Sequence, residues 1–149
     1  MGIIAMAKVK AVCISEKKGT RKTEVSSIKV LVNHGIVGDA HAGNWHRQIS
    51  LLAGESVDKL RETGLTLTPG IFAENILTEG IELVSLPIGT RLKVGNALLE
   101  VTQIGKECHN DCEIKKQSGK CVMPTEGIFA IVLQDGEIFP GDSIDIMEK

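Results

Sequence analysis

The spacing of apolar and polar residues predicts a chain made mostly of short β-strands. Residues 9–14 alternate in polarity, and their β-branched content favours a strand. Similar patterns predict further strands at 27–32, 48–52, 72–77, 91–94, 97–104, 127–133 and 143–147. Gly95-Asn96 separates two of these strands by two residues, which predicts a hairpin with a primed turn. Asp135-Gly136 and residues 140–142 are predicted as turns.

Helical spacing is confined to a short stretch. Val57, Leu60 and Arg61 predict a helix over 55–62, with Gly64 as the residue that ends it. Many short strands with few short helices predict a mainly β fold with a minor α+β component, arranged as a closed or nearly closed barrel. No repeat or linker divides the sequence, so we expect residues 1–149 to form one domain.

Composition excludes several partners. The net charge of −2 gives no overall field that would favour nucleic acid or an anionic membrane. One Trp, three Phe and no Tyr offer few platforms on which bases could stack. Lys8 and Lys10 interrupt the apolar start before a signal-peptide core could form, and no run approaches the ~20 apolar residues that cross a bilayer. We therefore expect a cytoplasmic protein without nucleic-acid or membrane partners.

Three cysteines follow the predicted strand 97–104. Cys108, Cys112 and Cys121 lie within 14 residues, in a stretch rich in lysine. Asn110 as N-cap and Glu113 at the capping-box position predict a helix start there, ending at Gly119. The amides at a helix start and nearby positive charge stabilise a thiolate, the form that transfers persulfide sulfur and binds metals. The cluster is thus predicted to carry sulfur or to ligate a metal.

Two alternatives apply to these thiols. A free cysteine often behaves as a small buried apolar residue, which is our interpretation of Cys13 in the first strand and the alternative for each clustered cysteine. Three thiolates with His109 could also form a zinc site, although ligation by the adjacent Cys108 and His109 together is awkward. The spacing does not match an iron–sulfur radical-enzyme motif.

Several blocks resemble one family. Residues 35–43 (GIVGDAHAG) and 46–52 (HRQISLL) resemble the signature of MOSC domains, the C-terminal module of molybdenum cofactor sulfurases. Residues 70–76, 86–90 and 101–103 fit the same pattern in the same order. Residues 119–130 are similar to a late block of the small stand-alone bacterial members. The resemblance covers most of the chain.

The resemblance implies a β-rich barrel, a role with the molybdenum cofactor (molybdopterin), and a reactive cysteine. Cys108 corresponds to the family cysteine after the Val-Thr-Gln strand and is the first candidate, with Cys121 second and Cys112 third. The implied partners are a cysteine desulfurase, which is a pyridoxal phosphate enzyme, and molybdoenzymes. A non-catalytic module that delivers the pterin and a structural zinc protein remain the alternatives, and catalytic turnover stays open.

The glycine-rich motif supplies candidate cofactor-binding residues. Arg47 can pair bidentately with a phosphate, and His41 and His46 can exchange protons near neutral pH. With Asp39 they could hold the phosphate tail of a pterin cofactor. The alternative is a structural loop in which Asp39 caps backbone amides.

Two neighbouring features have less direct predicted roles. Lys22 could extend the anion site with the other basic residues of 17–22, but a solvated basic loop is the favoured interpretation of that stretch. Trp45 is predicted to anchor the loop by packing on the core.

Overall fold

A computed structural model describes residues 7–17, 22–61, 68–105 and 127–147 of the protein. Within these ranges the α-helix α1 spans Gly54–Arg61, and a 3₁₀ turn spans Leu83–Ser85. The strands are β1 Lys8–Ile14, β2 Thr23–Val25, β3 Ile28–Leu31, β4 Gly35–Ile36, β5 Ile49–Ala53, β6 Ile76–Glu79, β7 Arg91–Val94, β8 Ala97–Ile104, β9 Gly127–Gln134, β10 Gly136–Ile138 and β11 Ile144–Met147.

The eight predicted strands and the predicted helix are all present, with at most small shifts at the ends of all but one strand. The β7–β8 hairpin has the predicted two-residue turn, in which Gly95 has a φ of 58°. The prediction for 72–77 is wrong for its first four residues, because residues 69–72 form a turn, Ala73 has a φ of 64° and β6 begins only at Ile76. Gly136 begins a short strand rather than completing a turn.

Eight strands form one curled sheet in the order β11-β7-β8-β9-β5-β6-β1-β2. The start of β1 meets the chain just before β11. Val9 N donates to Asp142 O over 2.9 Å, and Gly141 N donates to Val9 O over 2.7 Å. Because β11 and β1 lie toward opposite ends of the sheet, these bonds bring its ends together. The predicted nearly closed barrel is confirmed, with β10-β3-β4 as a second small sheet.

The helix α1 connects β5 to β6, which pair in parallel. Every residue of β5 is buried, as expected for a strand covered on both faces. Its inner side chains, such as Leu51, join the barrel core. Leu52 instead packs outside the sheet with Val57 of α1 and with Phe72. No helix among the described residues has the length and apolar character needed to span a membrane.

Candidate functional site

The strand β8 departs from regular pairing at its carboxyl end. Alternate side chains from Ala97 to Val101 are buried, so regular alternation would bury residue 103 as well. Instead, the register with β9 shifts between Val101 and Gln103, which leaves Thr102 as an extra residue. Such a β-bulge re-aims the side chains beside it. The Gln103 side chain is half-buried and faces the loop that precedes β5.

Gln103 joins the side chains of that loop to the end of β8. Its Oε1 accepts from Nε of Arg47 over 3.0 Å and lies 2.9 Å from Nε2 of His46. Its Nε2 donates to the carbonyl O of Gly105 over 2.7 Å. Thr102 donates through Oγ1 to the carbonyl O of His46. Residues 46 and 47 are therefore attached to the bulge by both side-chain and backbone bonds.

The half-buried Arg47 presents its guanidinium beside an aromatic ring. Cζ of Arg47 lies 5.3 Å from the centroid of Phe129, a distance at which a cation is attracted to a ring face. Within the described part of the chain, Nη1 and Nη2 of Arg47 have no hydrogen-bond partner. A planar guanidinium with both terminal nitrogens available can bind a tetrahedral oxyanion bidentately.

A buried ion pair joins Lys22, which precedes β2, to Asp39 of the loop before β5. Nζ of Lys22 lies 2.7 Å from Oδ1 of Asp39, and neither side chain is exposed. Asp39 also accepts the backbone N–H groups of Ser15 and His41, so the interpretation in which Asp39 caps amides is confirmed. Burial alone would raise the pKa of Asp39, but hydrogen bonds from the backbone N–H of His41 and from the Lys22 ammonium, together with the Lys22 charge, hold that pKa well below its usual range.

The solvated-loop interpretation is wrong for Lys22, because its ammonium is enclosed by oxygen and nitrogen acceptors. It donates to Ser15 Oγ over 3.2 Å as well as to Asp39. Nδ1 of His41 lies 3.1 Å from the same ammonium, which can only donate. Nδ1 of a neutral His41 is therefore the acceptor, and its hydrogen is on Nε2. Lys17, in contrast, is exposed as predicted.

Trp45 lies between the two histidines. It stacks on His41 with ring centroids 6.4 Å apart and meets His46 edge-on at 5.7 Å. Its Nε1 donates to the carbonyl O of His41 over 2.7 Å. The indole is 37% exposed, so the prediction that it packs on the core is wrong. Its N–H finds a partner within the loop, and the imidazoles provide its aromatic contacts.

A buried carboxylate holds the turn that binds the Lys22 backbone. Glu74 is fully buried and accepts the backbone N–H groups of Gly70 and Phe72. Burial raises the pKa of Glu74 to about 7, although these N–H donors and the Lys22 charge act in the opposite direction. Gly70 in turn accepts the backbone N–H of Lys22 over 2.7 Å. This turn thus holds the Lys22 backbone next to the ion pair.

Cys13 is buried in β1, as predicted. Burial and the nearby carboxylates of Glu74 and Glu24 raise the pKa of its thiol far above the ordinary value. Such a thiol is unreactive in the folded protein. In the described ranges, no three His, Cys, Asp or Glu side chains are grouped closely enough to hold a metal ion.

The three candidate thiols Cys108, Cys112 and Cys121, together with His109 and the predicted helix start, lie outside the described residues. Their assigned roles stay predictions. The described chain on either side of them is joined, because Gly105 N donates to Gly127 O over 2.7 Å.

The candidate cofactor residues fall into two groups bridged by Trp45. Lys22, Asp39 and His41 form one group, and His46 and Arg47 form the other. Sequence reasoning missed the role of Gln103. A signal was present, because a polar residue stands where the alternation of the strand requires a buried apolar side chain.

Comparison with known proteins agrees with this architecture. The MOSC domain model matches residues 38–145. The crystal structure of the YUAD protein from Bacillus subtilis is similar with a TM-score of 0.78 and 21% identity over 95% of each chain. YiiM from Geobacillus stearothermophilus gives a TM-score of 0.72 and 23% identity over 95% of this chain and 75% of that one. YiiM from Escherichia coli gives a TM-score of 0.68 and 18% identity over 97% of this chain and 70% of that one. No curated protein matches the sequence.

The matched region covers most of the chain, so the protein belongs to the MOSC domain family. The bulged end of β8, with Gln103, and the loop before β5, with the candidate residues from Asp39 to Arg47, both lie inside that region, whereas Lys22 precedes it. Family membership associates the protein with molybdenum cofactor metabolism.

Proposed function

We propose that this protein is a sulfur carrier that also binds the molybdenum cofactor, with a reactive thiol and an oxyanion-binding loop in one site. The supporting observation is that Gln103 bonds both Arg47 and Gly105. Cys108 follows Gly105 by three residues. A chain spans at most about 3.6 Å per residue, so the Cα atoms of Gly105 and Cys108 can be at most about 11 Å apart. The Gln103 bonds therefore favour Cys108 as the thiol of this site.

Chain length constrains the other two thiols less. Cys112 lies seven residues after Gly105, and Cys121 lies six residues before Gly127. At the same maximum rise per residue, Cys112 can lie up to roughly 25 Å from Gly105 and Cys121 up to roughly 22 Å from Gly127. Cys121 remains the second candidate and Cys112 the third.

The donor set fits the phosphate tail of a pterin cofactor. Arg47 offers two terminal nitrogens without partners in the described residues, and the exposed imidazole of His46 lies beside it. His41 adds an Nε2–H at the partly exposed edge of the loop. Asp39 neutralises the shielded ammonium of Lys22. In this proposal the pair does not bind the cofactor itself but positions His41 through hydrogen bonds to its ring and its backbone N–H. When bound, the cofactor would supply the acceptor for the sulfur.

The sulfur-loading step needs no external oxidant. The Cys108 thiolate attacks the terminal sulfur of a persulfide on a cysteine desulfurase. A new S–S bond forms to Cys108 while the donor S–S bond breaks, and the electron pair leaves on the donor cysteine as a thiolate. The proton on the transferred sulfur stays with it. A reducing cytoplasm would keep the receiving thiol available, and molybdoenzymes would receive the sulfurated cofactor.

Mass spectrometry after incubation with a desulfurase and cysteine tests this proposal. We expect one added sulfur on wild type and on Cys112→Ser, and none on Cys108→Ser. Cys13 provides an internal control, because its buried thiol should remain unmodified. No adduct on wild type, or an unchanged adduct on Cys108→Ser, would contradict the assignment.

A non-catalytic delivery module is the second candidate function. The Arg47, His46 and His41 side chains that favour cofactor binding do not require a thiol. Pterin binding retained in a variant with Cys108, Cys112 and Cys121 all changed to Ser, without sulfur loading on wild type, would favour it. Stoichiometric zinc in purified protein would instead favour the structural zinc alternative.

A further inference from the structure

The amide orientation of Gln103 follows from its neighbours. Nε of Arg47 can only donate a hydrogen bond, so the Gln103 atom facing it at 3.0 Å is the oxygen. The carbonyl O of Gly105 can only accept, so the atom facing it at 2.7 Å is the amide nitrogen. The two requirements agree, so the amide has one orientation that satisfies both neighbours.

This orientation determines the tautomer of His46. Oε1 of Gln103 is an acceptor, and Nε2 of His46 lies 2.9 Å from it. Nε2 of His46 must therefore bear a hydrogen, which leaves Nδ1 of the neutral ring as its acceptor. A single side-chain oxygen thus orients both the imidazole and the neighbouring guanidinium.

We infer that Gln103 is a positioning residue for an oxyanion subsite made by Arg47 and His46. Gln103 binds Arg47 through Nε, and no described residue occupies Nη1 and Nη2, which can bind a tetrahedral oxyanion. The ring of Phe129 supports the guanidinium plane on one side. The inference deepens the proposed function and rests on its assignment of Arg47 as the phosphate-binding residue.

A neutral amide suits this position better than a carboxylate. A carboxylate at residue 103 would accept from Arg47 and His46 equally well, but its charge would compete with an incoming anion for the guanidinium. A glutamate would also lack the N–H that Gln103 donates to the carbonyl O of Gly105. A carboxylate oxygen would then face that carbonyl oxygen, and neither can donate a hydrogen bond. Gln103→Glu therefore retains the shape of the side chain while impairing the subsite.

Gln134→Glu is the matched control. Gln134 is also a strand glutamine whose Nε2 donates to a carbonyl, that of Asn96. It lies five residues along β9 from Phe129, about 17 Å at the usual strand rise. A charge at that distance is largely screened at physiological salt. The two variants thus add the same charge and lose the same kind of donor at different places.

Calorimetric titration with inorganic phosphate and, separately, molybdate tests oxyanion binding and distinguishes a phosphate group from a free metal oxyanion. Binding of either anion by wild type, reduced about tenfold or more in Gln103→Glu and less than about twofold in Gln134→Glu, supports the inference. Preference for phosphate assigns the subsite to the cofactor tail, and preference for molybdate to the free oxyanion. No binding to wild type, or equal binding by Gln103→Glu, overturns the subsite.

Nitrogen NMR of the His46 ring supplies a readout that needs no ligand. We expect the Nε2–H tautomer in wild type and a mixture of tautomers in Gln103→Leu. An Nδ1–H tautomer in wild type, or an unchanged ring in Gln103→Leu, overturns the positioning role. Neither the anion titration nor the NMR measurement depends on sulfur loading by a desulfurase. A failure of the sulfur-carrier proposal is therefore distinguishable from a failure of this inference.

Discussion

The ammonium of Lys22 lies 2.7 Å from a carboxylate oxygen of Asp39, and both side chains are shielded from solvent. Residues 17 positions apart in the sequence thereby connect the loop after β1 to the glycine-rich loop of the candidate site. A buried pair of this kind is costly to break, because the remaining charge is left without a partner.

Lys22→Met should therefore destabilise the protein by about 3–5 kcal/mol in chemical denaturation. Lys29→Met is the control, because Lys29 is exposed on β3, and it should change stability by less than about 0.5 kcal/mol. The double variant Lys22→Met with Asp39→Asn should lose less than the sum of the two single variants. A cost below about 1 kcal/mol for Lys22→Met would mean that the pair contributes little.

The pH dependence of stability should show the buried Glu74. Its folded-state pKa is raised from 4.5 to about 7, so the folded protein binds more protons than the unfolded chain between these values. Stability from this group is fully present below pH 4.5 and is lost as the pH rises through about 7, by up to about 3 kcal/mol. Glu74→Gln, measured by denaturation across this range, should lack that decline. The same decline in the variant would assign it to another group.

Alanine substitutions at two glycines with similar φ angles distinguish the cost of steric crowding from the cost of a strained dihedral. Gly70 has a φ of 89°, and a Cβ there would lie 2.1 Å from the carbonyl O of Lys22. Gly141 has a φ of 95°, with nothing within 4 Å of such a Cβ. Gly141→Ala should cost about 1 kcal/mol from its dihedral alone, and Gly70→Ala at least about 2 kcal/mol more. Equal losses in thermal or chemical denaturation would show that the turn at Gly70 adjusts freely.

Much of the fold could be predicted because its strands alternate clearly. β1, β7 and β8 contain enough β-branched or alternating residues to show their period. β2, β4 and β10 have only two or three residues, too few for a period to appear. The strand predicted from residue 72 begins too early because the turn at 69–72 is held by the Glu74 carboxylate, whose burial no local pattern reveals.

The sequence identified candidate site residues by their type, but it did not show how they are arranged. Arg47 and His46 lie side by side, but the acceptor that orients them is on a strand more than 50 positions away. Burial of Lys22 depends on its pairing with Asp39, so the surrounding basic residues suggested a solvated loop instead. The polar Gln103 at an expected core position was the one local signal of the bulge.

The distance between Cζ of Arg47 and Sγ of Cys108 tests the one-site account most directly. A crystal structure with molybdopterin bound, in which both residues are traced, would measure it. In a single site the two atoms lie within about 10 Å of each other, a gap that a long side chain and a small cofactor can bridge. If Cys108, Cys112 and Cys121 all lay farther than that from Arg47, the thiols and the oxyanion-binding loop would not form one site.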